Sequence, residues 1–227
     1  MSKKENYKVS GVDVRDAKDK IIHAAEELFA RDGFNGTSVR QIALKAGVPV
    51  TLVSYHFNSK LGVYRAIFEA RTPAIVEQRK AGLLLASLED DPRRMLDLII
   101  KAVLVPMLKL RAEEGNCLFG MLLAREINDP QSVERGIIKD IFDPVAKLVM
   151  EHLRVALPEY DDAKITWAYQ SIVGIMSCVM GDAGRIKSLS NGAADADDAN
   201  AAIRHLSALL LNGIVGLSKL DRGNNKA

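Results

Sequence analysis

The chain has 227 residues, of which 48% are hydrophobic and 26% charged, and its formal net charge is +2. This composition is typical of a globular protein and argues against a disordered or low-complexity chain. The apolar runs are far shorter than the roughly 20 residues that span a bilayer, and the first residues lack the apolar core of a secretory signal. We therefore expect a cytoplasmic protein that does not contact a membrane.

The sequence lacks the common signatures of enzymes and metal sites. Cys117 and Cys178 lie far apart, and the four histidines are dispersed, so neither a disulfide framework nor a zinc site is expected. No glycine-rich phosphate loop, zinc-protease motif or nucleophile elbow is present. We expect no catalytic residue, no metal and no cofactor.

One long stretch of the sequence contains no acidic residue. Residues 33–68 carry Arg40, Lys45, Lys60 and Arg65 but no Asp or Glu, which gives these 36 residues a formal charge of +4. A local positive field in a nearly neutral protein is expected of a surface that binds a polyanion. The alternative is chance combined with a buried segment that tolerates no acids, and charge alone favours neither.

The N-terminal quarter begins with a polar segment and a helix. Residues 1–15 are polar and aperiodic, so we expect a disordered arm there. Apolar residues at helical spacing predict a first helix from about Ala17 to Asp32. Asp16 is its candidate N-cap, and Gly33 suits the left-handed position that follows a helix.

Three further helices are predicted before residue 74. The second covers Ser38 to Ala46 with Thr37 as its N-cap, and the third covers about Val50 to Phe57. Ser59 caps a fourth, which bends or stops near Thr72-Pro73 because proline disfavours helical geometry in the preceding residue.

The second and third helices are separated by Ala46-Gly47-Val48-Pro49. Two short helices joined by such a glycine-containing turn predict a helix-turn-helix. Val53 would anchor the third helix on the second, which leaves a small, neutral outer face that fits a major groove. That face carries Val50, Thr51, Ser54 and Tyr55.

The stretch from Ile21 to Phe68 resembles the DNA-binding domain of the TetR/AcrR family of bacterial transcriptional regulators. The resemblance rests on two patterns: Ile22-x-x-Ala25-x-x-Leu28-Phe29-x-x-x-Gly33-Phe34-x-x-Thr37-Ser38-x-x-x-Ile42-Ala43-x-x-Ala46-Gly47-Val48 and Val53-Ser54-Tyr55-His56-Phe57-Asn58-Ser59-Lys60. The chain departs from the family at Pro49, where a small polar residue is common, and at Leu61-Gly62, where an acidic residue commonly follows the lysine.

The resemblance implies DNA contacts for eight residues. Arg40 corresponds to a position that reaches a base edge or the DNA backbone. For the polar residues among the eight, the alternative is that they are packed in the protein or solvated at its surface. The implied phosphate contacts are Thr37, Tyr55, His56 and Lys60. The front of the recognition helix, where methyl groups can contact thymine, consists of Val50, Thr51 and Leu52.

The remainder of the chain shows helical periodicity and no convincing strand pattern. The predicted helices are 74–88, 92–112, 117–128, 131–157, 161–186 and 197–220. We therefore predict an all-α protein. The resemblance implies two domains within it: an N-terminal helix-turn-helix DNA-binding domain over 16–72 and a C-terminal helical ligand-binding and dimerisation domain over 73–227.

The last two predicted helices are apolar on more than one face, so they must be buried on more than one side. The resemblance implies a dimer, and a four-helix interface between two subunits would bury these faces. The alternative is that both helices are central to a monomeric core. The interface candidates are Ile172, Ile175, Leu206, Leu209, Gly213 and Leu217.

The resemblance also implies a small-molecule site in the C-terminal domain. Gly120–Pro130 resembles the CecR-like branch of the family, and Arg125 within it is the candidate for orienting a polar or anionic group of a largely apolar effector. The other candidate lining residues, for which plain core is the alternative, are Met107, Phe119, Leu122, Trp167 and Met176.

Together these features predict a homodimeric, ligand-responsive repressor. It would bind a palindromic double-stranded operator and be released by a small, largely apolar effector. The alternatives are a helical protein-interaction scaffold and a small all-α enzyme that does not bind DNA. The acid-free window beside the helix-turn-helix favours the regulator, because neither alternative requires it.

Overall fold

The computed structural model describes residues 14–113 and 117–224, and all regular secondary structure within them is helical. The predicted all-α class is therefore confirmed. The chain divides into two compact units, unit 1 (Met1–Arg71) and unit 2 (Thr72–Ala227). Of the predicted N-terminal arm, residues 1–13 lie outside the described part, whereas 14 and 15 are helical.

Unit 1 contains α1 (Val14–Gly36), α2 (Val39–Ala46), α3 (Val50–Phe57) and the start of α4 (Lys60–Ala86). α1 is interrupted at Gly33, whose φ of 75° is positive as expected for a glycine at this position. Its ψ of 174° is extended, so Gly33 does not take the predicted left-handed helical conformation. Asp16 is not the N-cap, because α1 begins earlier. It lies in the first turn and pairs with Lys20 at 3.2 Å.

The N-cap of α2 is Ser38 and not Thr37. The Ser38 hydroxyl accepts from the Gln41 N–H, and the Gln41 Oε1 accepts from the Ser38 N–H at 2.8 Å, which is a reciprocal capping box. Thr37 is buried and donates its hydroxyl to the Gly33 carbonyl at 3.0 Å. Both residues suit an N-cap, and the glutamine three positions after Ser38 decides between them.

The core of unit 1 is an aromatic cluster centred on Tyr64. Its ring meets those of Phe29, Phe34 and Phe68 edge-on, with centroids 4.8, 5.1 and 5.2 Å away. Such edge-to-face pairs contribute about 0.5–1.5 kcal/mol each beyond the area that they bury. The cluster ties the end of α1 to α4.

Pro73 does not end α4, so the predicted stop near Thr72-Pro73 is wrong, and the predicted bend stays a prediction. The helix continues to Ala86, and in unit 2 Ile75, Leu83 and Ala86 are buried. A proline inside a helix costs about 3 kcal/mol, whereas burying one large aliphatic side chain contributes about 1.5–3 kcal/mol. The buried stripe therefore outweighs the hydrogen bond lost at the proline.

Unit 2 is built around α5, which packs against α6, α8, α9 and α11. α4 also approaches α5 very closely: a Cβ at Gly82 would lie 2.7 Å from the Ala102 Cβ. The helices of this unit after α4 are α5 (Pro92–Ala112), α6 (Cys117–Asn128), α7 (Ser132–Arg135), α8 (Asp143–Ala156), α9 (Asp162–Met180), α10 (Arg185–Leu189) and α11 (Ala199–Asn224).

Two predicted helices of unit 2 are divided or shorter. The segment 131–157 forms α7, a π-helical turn (Ile138–Phe142) and α8, because Gly136 takes a left-handed conformation (φ 67°) and Pro144 lies in the first turn of α8. The helix predicted for 161–186 ends at Met180, and Arg185 starts α10. The predictions for α5 and α6 are confirmed.

A buried ion pair fixes the segment after α6. Glu126 is fully buried, and Nη2 of Arg135 lies 2.7 Å from its carboxylate and 2.7 Å from that of Asp129. The Ser132 hydroxyl donates to Glu126 at 3.0 Å. This network holds α7 against the end of α6.

We expect Arg135→Met to lower the free energy of unfolding by about 3–5 kcal/mol, because it leaves the Glu126 carboxylate buried without its cation. Urea denaturation followed by circular dichroism measures the change. Arg94→Met, the same substitution at an exposed side chain, should stay within about 0.5 kcal/mol of the parent protein. Equal losses in the two variants would contradict the role of this network.

Candidate functional site

Helix α3 has one buried and one exposed face. Val53 and Phe57, four residues apart, are buried in unit 1. Val50, Thr51 and Tyr55 are exposed, and Tyr55 is 75% exposed despite its aromatic ring. A short helix whose outer face carries methyl and hydroxyl groups but no charge has the dimensions and chemistry for a major groove.

The turn before α3 sets the angle of this helix on α2. Gly47 adopts φ 67°, and the Val48 N–H donates to the Ala43 carbonyl at 3.0 Å. Pro49 follows in an extended conformation as the N-cap of α3, where its missing N–H costs nothing. The departure from the family pattern at Pro49 is therefore compatible with the start of this helix.

Tyr55 and His56 lie side by side near the end of α3, with ring centroids 5.3 Å apart. His56 is half-buried, and no described residue forms a hydrogen bond with its Nε2. Burial, and to a smaller extent the charge of Lys18, lowers the pKa of His56 below its usual value. At neutral pH its imidazole is therefore uncharged. Because Nε2 is buried, a neutral N–H donor to a phosphate would have to be Nδ1.

Lys60 holds the start of α4 against the end of α1. Its ammonium donates to the carbonyls of Phe34 and Thr37 at 2.9 and 3.1 Å, and it lies 4.3 Å from the centre of the Phe34 ring. An ammonium has three donors, so these two contacts leave one for a phosphate oxygen. The predicted phosphate contact of Lys60 stays a prediction. The sequence did not indicate its hydrogen bonds to the carbonyls at the end of α1.

The remaining predicted DNA contacts differ in their exposure to solvent. Thr37 is buried with its hydroxyl bound internally, so this hydroxyl is not at the surface where the resemblance implied it. Arg40 is exposed on α2, and Leu52 is half-buried. Lys45, part of the acid-free window, pairs with Glu27 at 2.6 Å and thereby lowers the pKa of that carboxyl.

Unit 2 contains a cavity of about 630 Å³. Residues of α4, α6, α7, the π-helical turn, α8 and α9 line it. A π-helical turn is uncommon and occurs frequently at functional sites. The apolar part of the lining consists mainly of Leu123, Ile127, Ile138, Phe142, Val173 and Met176.

The polar group that stands out in this lining is Arg79 of α4, which is only 4% exposed. Its Nη2 lies 3.8 Å from the Met176 sulfur, and its Nε has no hydrogen-bond partner among the described residues. Burial lowers the pKa of Arg79 and raises that of Tyr169, another lining residue, although the charge of Arg79 partly opposes the second shift.

Of the six residues predicted to bind the effector, the cavity lining includes Met176 alone. Met107, Phe119 and Leu122 are fully buried among their neighbours. Trp167 is 68% exposed, since it lies on the side of α9 opposite the buried Ile165 and Ile172.

Arg125 does not face the interior. The buried residues of α6 include Phe119, Leu122 and Glu126, which recur at helical spacing and place Glu126 inside and Arg125 outside. The charged residue that points inward after the apolar run is therefore Glu126, which forms the buried ion pair with Arg135.

Arg79 itself was missed, although the sequence carried a signal for it. It occupies a position in the stripe Ile75, Arg79, Leu83 and Ala86, where every other member is buried. A charged residue at helical spacing within an apolar stripe indicates a buried charge.

The predicted dimer residues divide between two environments. Leu209 is 53% exposed, and Gly213 and Leu217 are exposed beside it on α11. Leu206 and Ile175 are half-buried, whereas Ile172 is fully buried within unit 2 and points away from the exposed side of α9. None of the described helices is long and apolar enough to cross a membrane.

Two family models match the chain. The model described as bacterial regulatory proteins, tetR family, matches residues 21–67, and the one described as tetracyclin repressor-like, C-terminal domain, matches residues 101–213. The first covers α2, α3 and most of unit 1, and the second covers most of the lining of the cavity.

Curated relatives and solved structures agree with these matches. The probable HTH-type transcriptional regulator YttP of Bacillus subtilis is 54% identical over 46 residues, 20% of this chain and 22% of the relative. The dual regulator CecR of Shigella flexneri is 28% identical over 134 residues, 57% of this chain and 59% of the relative. The chain thus matches less than two thirds of either relative's length.

The solved structure of FadR from Bacillus subtilis in complex with stearoyl-CoA is 18% identical and superposes with a TM-score of 0.61 over 86% of this chain and 98% of that one. At this identity the likeness concerns the fold. With the helix-turn-helix of unit 1 and both family models, it leads to one conclusion: the chain belongs to the TetR family of transcriptional regulators, with an all-α fold and a DNA-binding helix-turn-helix.

Proposed function

We propose that the protein is a ligand-responsive homodimeric repressor that leaves its operator when a small molecule occupies the cavity of unit 2. The observation that carries the DNA-binding part is the outer face of α3, where Val50, Thr51 and Tyr55 are exposed on a helix anchored by buried neighbours. A solvated helix surface normally carries charges, whereas this face suits base edges and thymine methyl groups.

The exposed faces of α9 and α11 support the dimer. On α11, Leu209, Gly213 and Leu217 form an exposed apolar and small-residue strip, and Trp167 and Gly174 are exposed on α9. Within the described chain, no side chain of a neighbouring element lies within 4 Å of a Cβ placed on Gly174 or Gly213. Two copies of these helices could pack closely about a twofold axis and bury both strips.

A dimer of this kind places two copies of α3 about a twofold axis, so the operator should be roughly palindromic, with half-sites about one helical turn apart or a multiple of it.

The proposal that a small molecule releases the protein from DNA rests on the cavity of unit 2. FadR of Bacillus subtilis, which has the same fold, was solved with stearoyl-CoA, so this fold accommodates an organic ligand. Release from DNA requires that the ligand favour the state with lower DNA affinity.

DNA selection from a random duplex library, followed by retardation of the selected fragments, tests this function. We expect enrichment of a palindromic sequence, and reduced retardation when an effector from a metabolite panel is added. Failure to enrich any sequence at low ionic strength would overturn the repressor, and enrichment without any responsive compound would overturn the effector part.

We expect Thr51→Ala to lower discrimination between the selected operator and random DNA about fivefold, close to 1 kcal/mol, because a methyl contact to a base is lost while phosphate contacts remain. Fluorescence anisotropy on both duplexes measures the ratio. Thr166→Ala, the same change at an exposed residue of unit 2, should leave it unchanged. Equal losses on both duplexes would exclude Thr51 from base recognition.

We expect Leu209→Asp to convert the dimer to monomers, because twofold symmetry places two carboxylates in one apolar interface. Sedimentation velocity measures the change. Leu189→Asp, at an exposed leucine of α10, is the matched control and should remain dimeric. A persistent Leu209→Asp dimer would place the interface elsewhere.

A further inference from the structure

The Arg79 guanidinium lacks an anionic partner in the part of the chain that the structure describes. It forms no ion pair there, its Nε is unbonded, and its Nη2 lies 3.8 Å from the Met176 sulfur. Arginine keeps its proton under all ordinary conditions, so a full positive charge lies in an apolar wall. Burial without a partner is costly, and burial lowers the pKa of Arg79 accordingly.

The acidic residues of the lining do not supply this partner. Asp129 is bound by Arg135 at 2.7 Å, which together with the Gln131 N–H lowers the pKa of its carboxyl. Asp143 also lines the cavity but forms no ion pair with Arg79 among the described contacts. The other buried arginines have partners: Arg135 pairs with Glu126, and Arg111 donates to two carbonyls and pairs with Asp197 at 3.0 Å.

The volume and polarity of the rest of the cavity determine which ligands fit beside Arg79. Its volume of about 630 Å³ lies within the range of roughly 300–1,000 Å³ that is typical of small-molecule sites. More than half of the lining residues beyond Arg79 are aliphatic or aromatic, including Leu123, Phe142 and Val173 from three different helical elements. Polar residues of the same lining include Asn128, Lys139 and Gln170. Tyr169 adds a hydroxyl to the same lining.

We propose that the effector is an amphipathic molecule with an apolar body and a single oxyanion group, such as a carboxylate, and that Arg79 binds this group inside the cavity. This inference rests on the proposed effector-responsive function and specifies the chemistry of its ligand. An oxyanion accepts from the guanidinium in a bidentate arrangement, which provides the charge partner that no described residue supplies.

A matched pair of fluorescent molecules tests the proposal. Anilinonaphthalene sulfonate and N-phenyl-naphthylamine share one aromatic body, and only the first carries an anionic group. We expect the protein to bind the sulfonate about tenfold or more tightly than the amine, since a charged hydrogen bond in a buried site is worth at least that factor. Fluorescence titration gives both dissociation constants.

Arg79→Met should remove this preference by weakening sulfonate binding about tenfold while amine binding stays the same or improves. Arg79→Lys, which keeps the charge but loses the planar fork, should fall in between. Arg94→Met, at an exposed arginine outside the cavity lining, should match the parent protein.

Thermal unfolding of the ligand-free proteins separates ligand binding from a structural role. Replacing an unpaired buried charge with an apolar side chain of similar length should leave the Tm of Arg79→Met equal to or above that of the parent. A lower Tm with equal losses for both fluorescent molecules would show that Arg79 is structural and would overturn the proposal. So would a parent protein that binds neither molecule or does not prefer the sulfonate.

Operator retardation by the same proteins without ligand distinguishes this inference from the proposed function. Intact DNA binding together with an unchanged sulfonate preference in Arg79→Met would overturn the oxyanion site alone. A parent protein that binds no DNA would overturn the repressor function, and an Arg79-dependent preference in that protein would still support the oxyanion site.

Discussion

The burial of Val53 and Phe57 is the constraint on which the DNA-binding surface depends. Both lie on one side of an eight-residue helix, so their burial fixes the rotation of α3 about its own axis and determines which residues face outward. Aromatic packing around Tyr64 and the contacts of Lys60 then fix α4 against the end of α1. Local propensity alone would not keep so short a helix stable in water.

Much of unit 1 could be predicted from sequence because its signals are local. The glycine turn, the apolar spacing of α1 and the family pattern each lie within a few residues of one another. The errors there concern neighbouring residues that could both fill one role. Thr37 was predicted as the N-cap of α2, but Ser38 is the N-cap because Gln41 completes its capping box. Pro73 shows the opposite case, because a local rule was outweighed by packing against residues far away in sequence.

The cavity could not be predicted in the same way. Its lining comes from residues spread between Arg79 and Met176. A methionine or leucine that lines a cavity cannot be told from one in the core by sequence alone. Charged residues are more informative, because a charge inside an apolar stripe must be accounted for by a partner. That reasoning applied to Glu126 and Arg79 identifies two of the buried charges, whereas proximity to the apolar run indicated Arg125.

The close approach of Gly82 to Ala102 has a consequence for redesign of the cavity. Because α4 and α5 meet there with no room for a side chain at position 82, the wall that carries Arg79 is fixed in place at the level of the backbone. Variant libraries directed at the proposed effector site should therefore leave this crossing unchanged. They should diversify the opposite wall, from Pro130 to Phe142, where short elements and a left-handed glycine interrupt the regular helices.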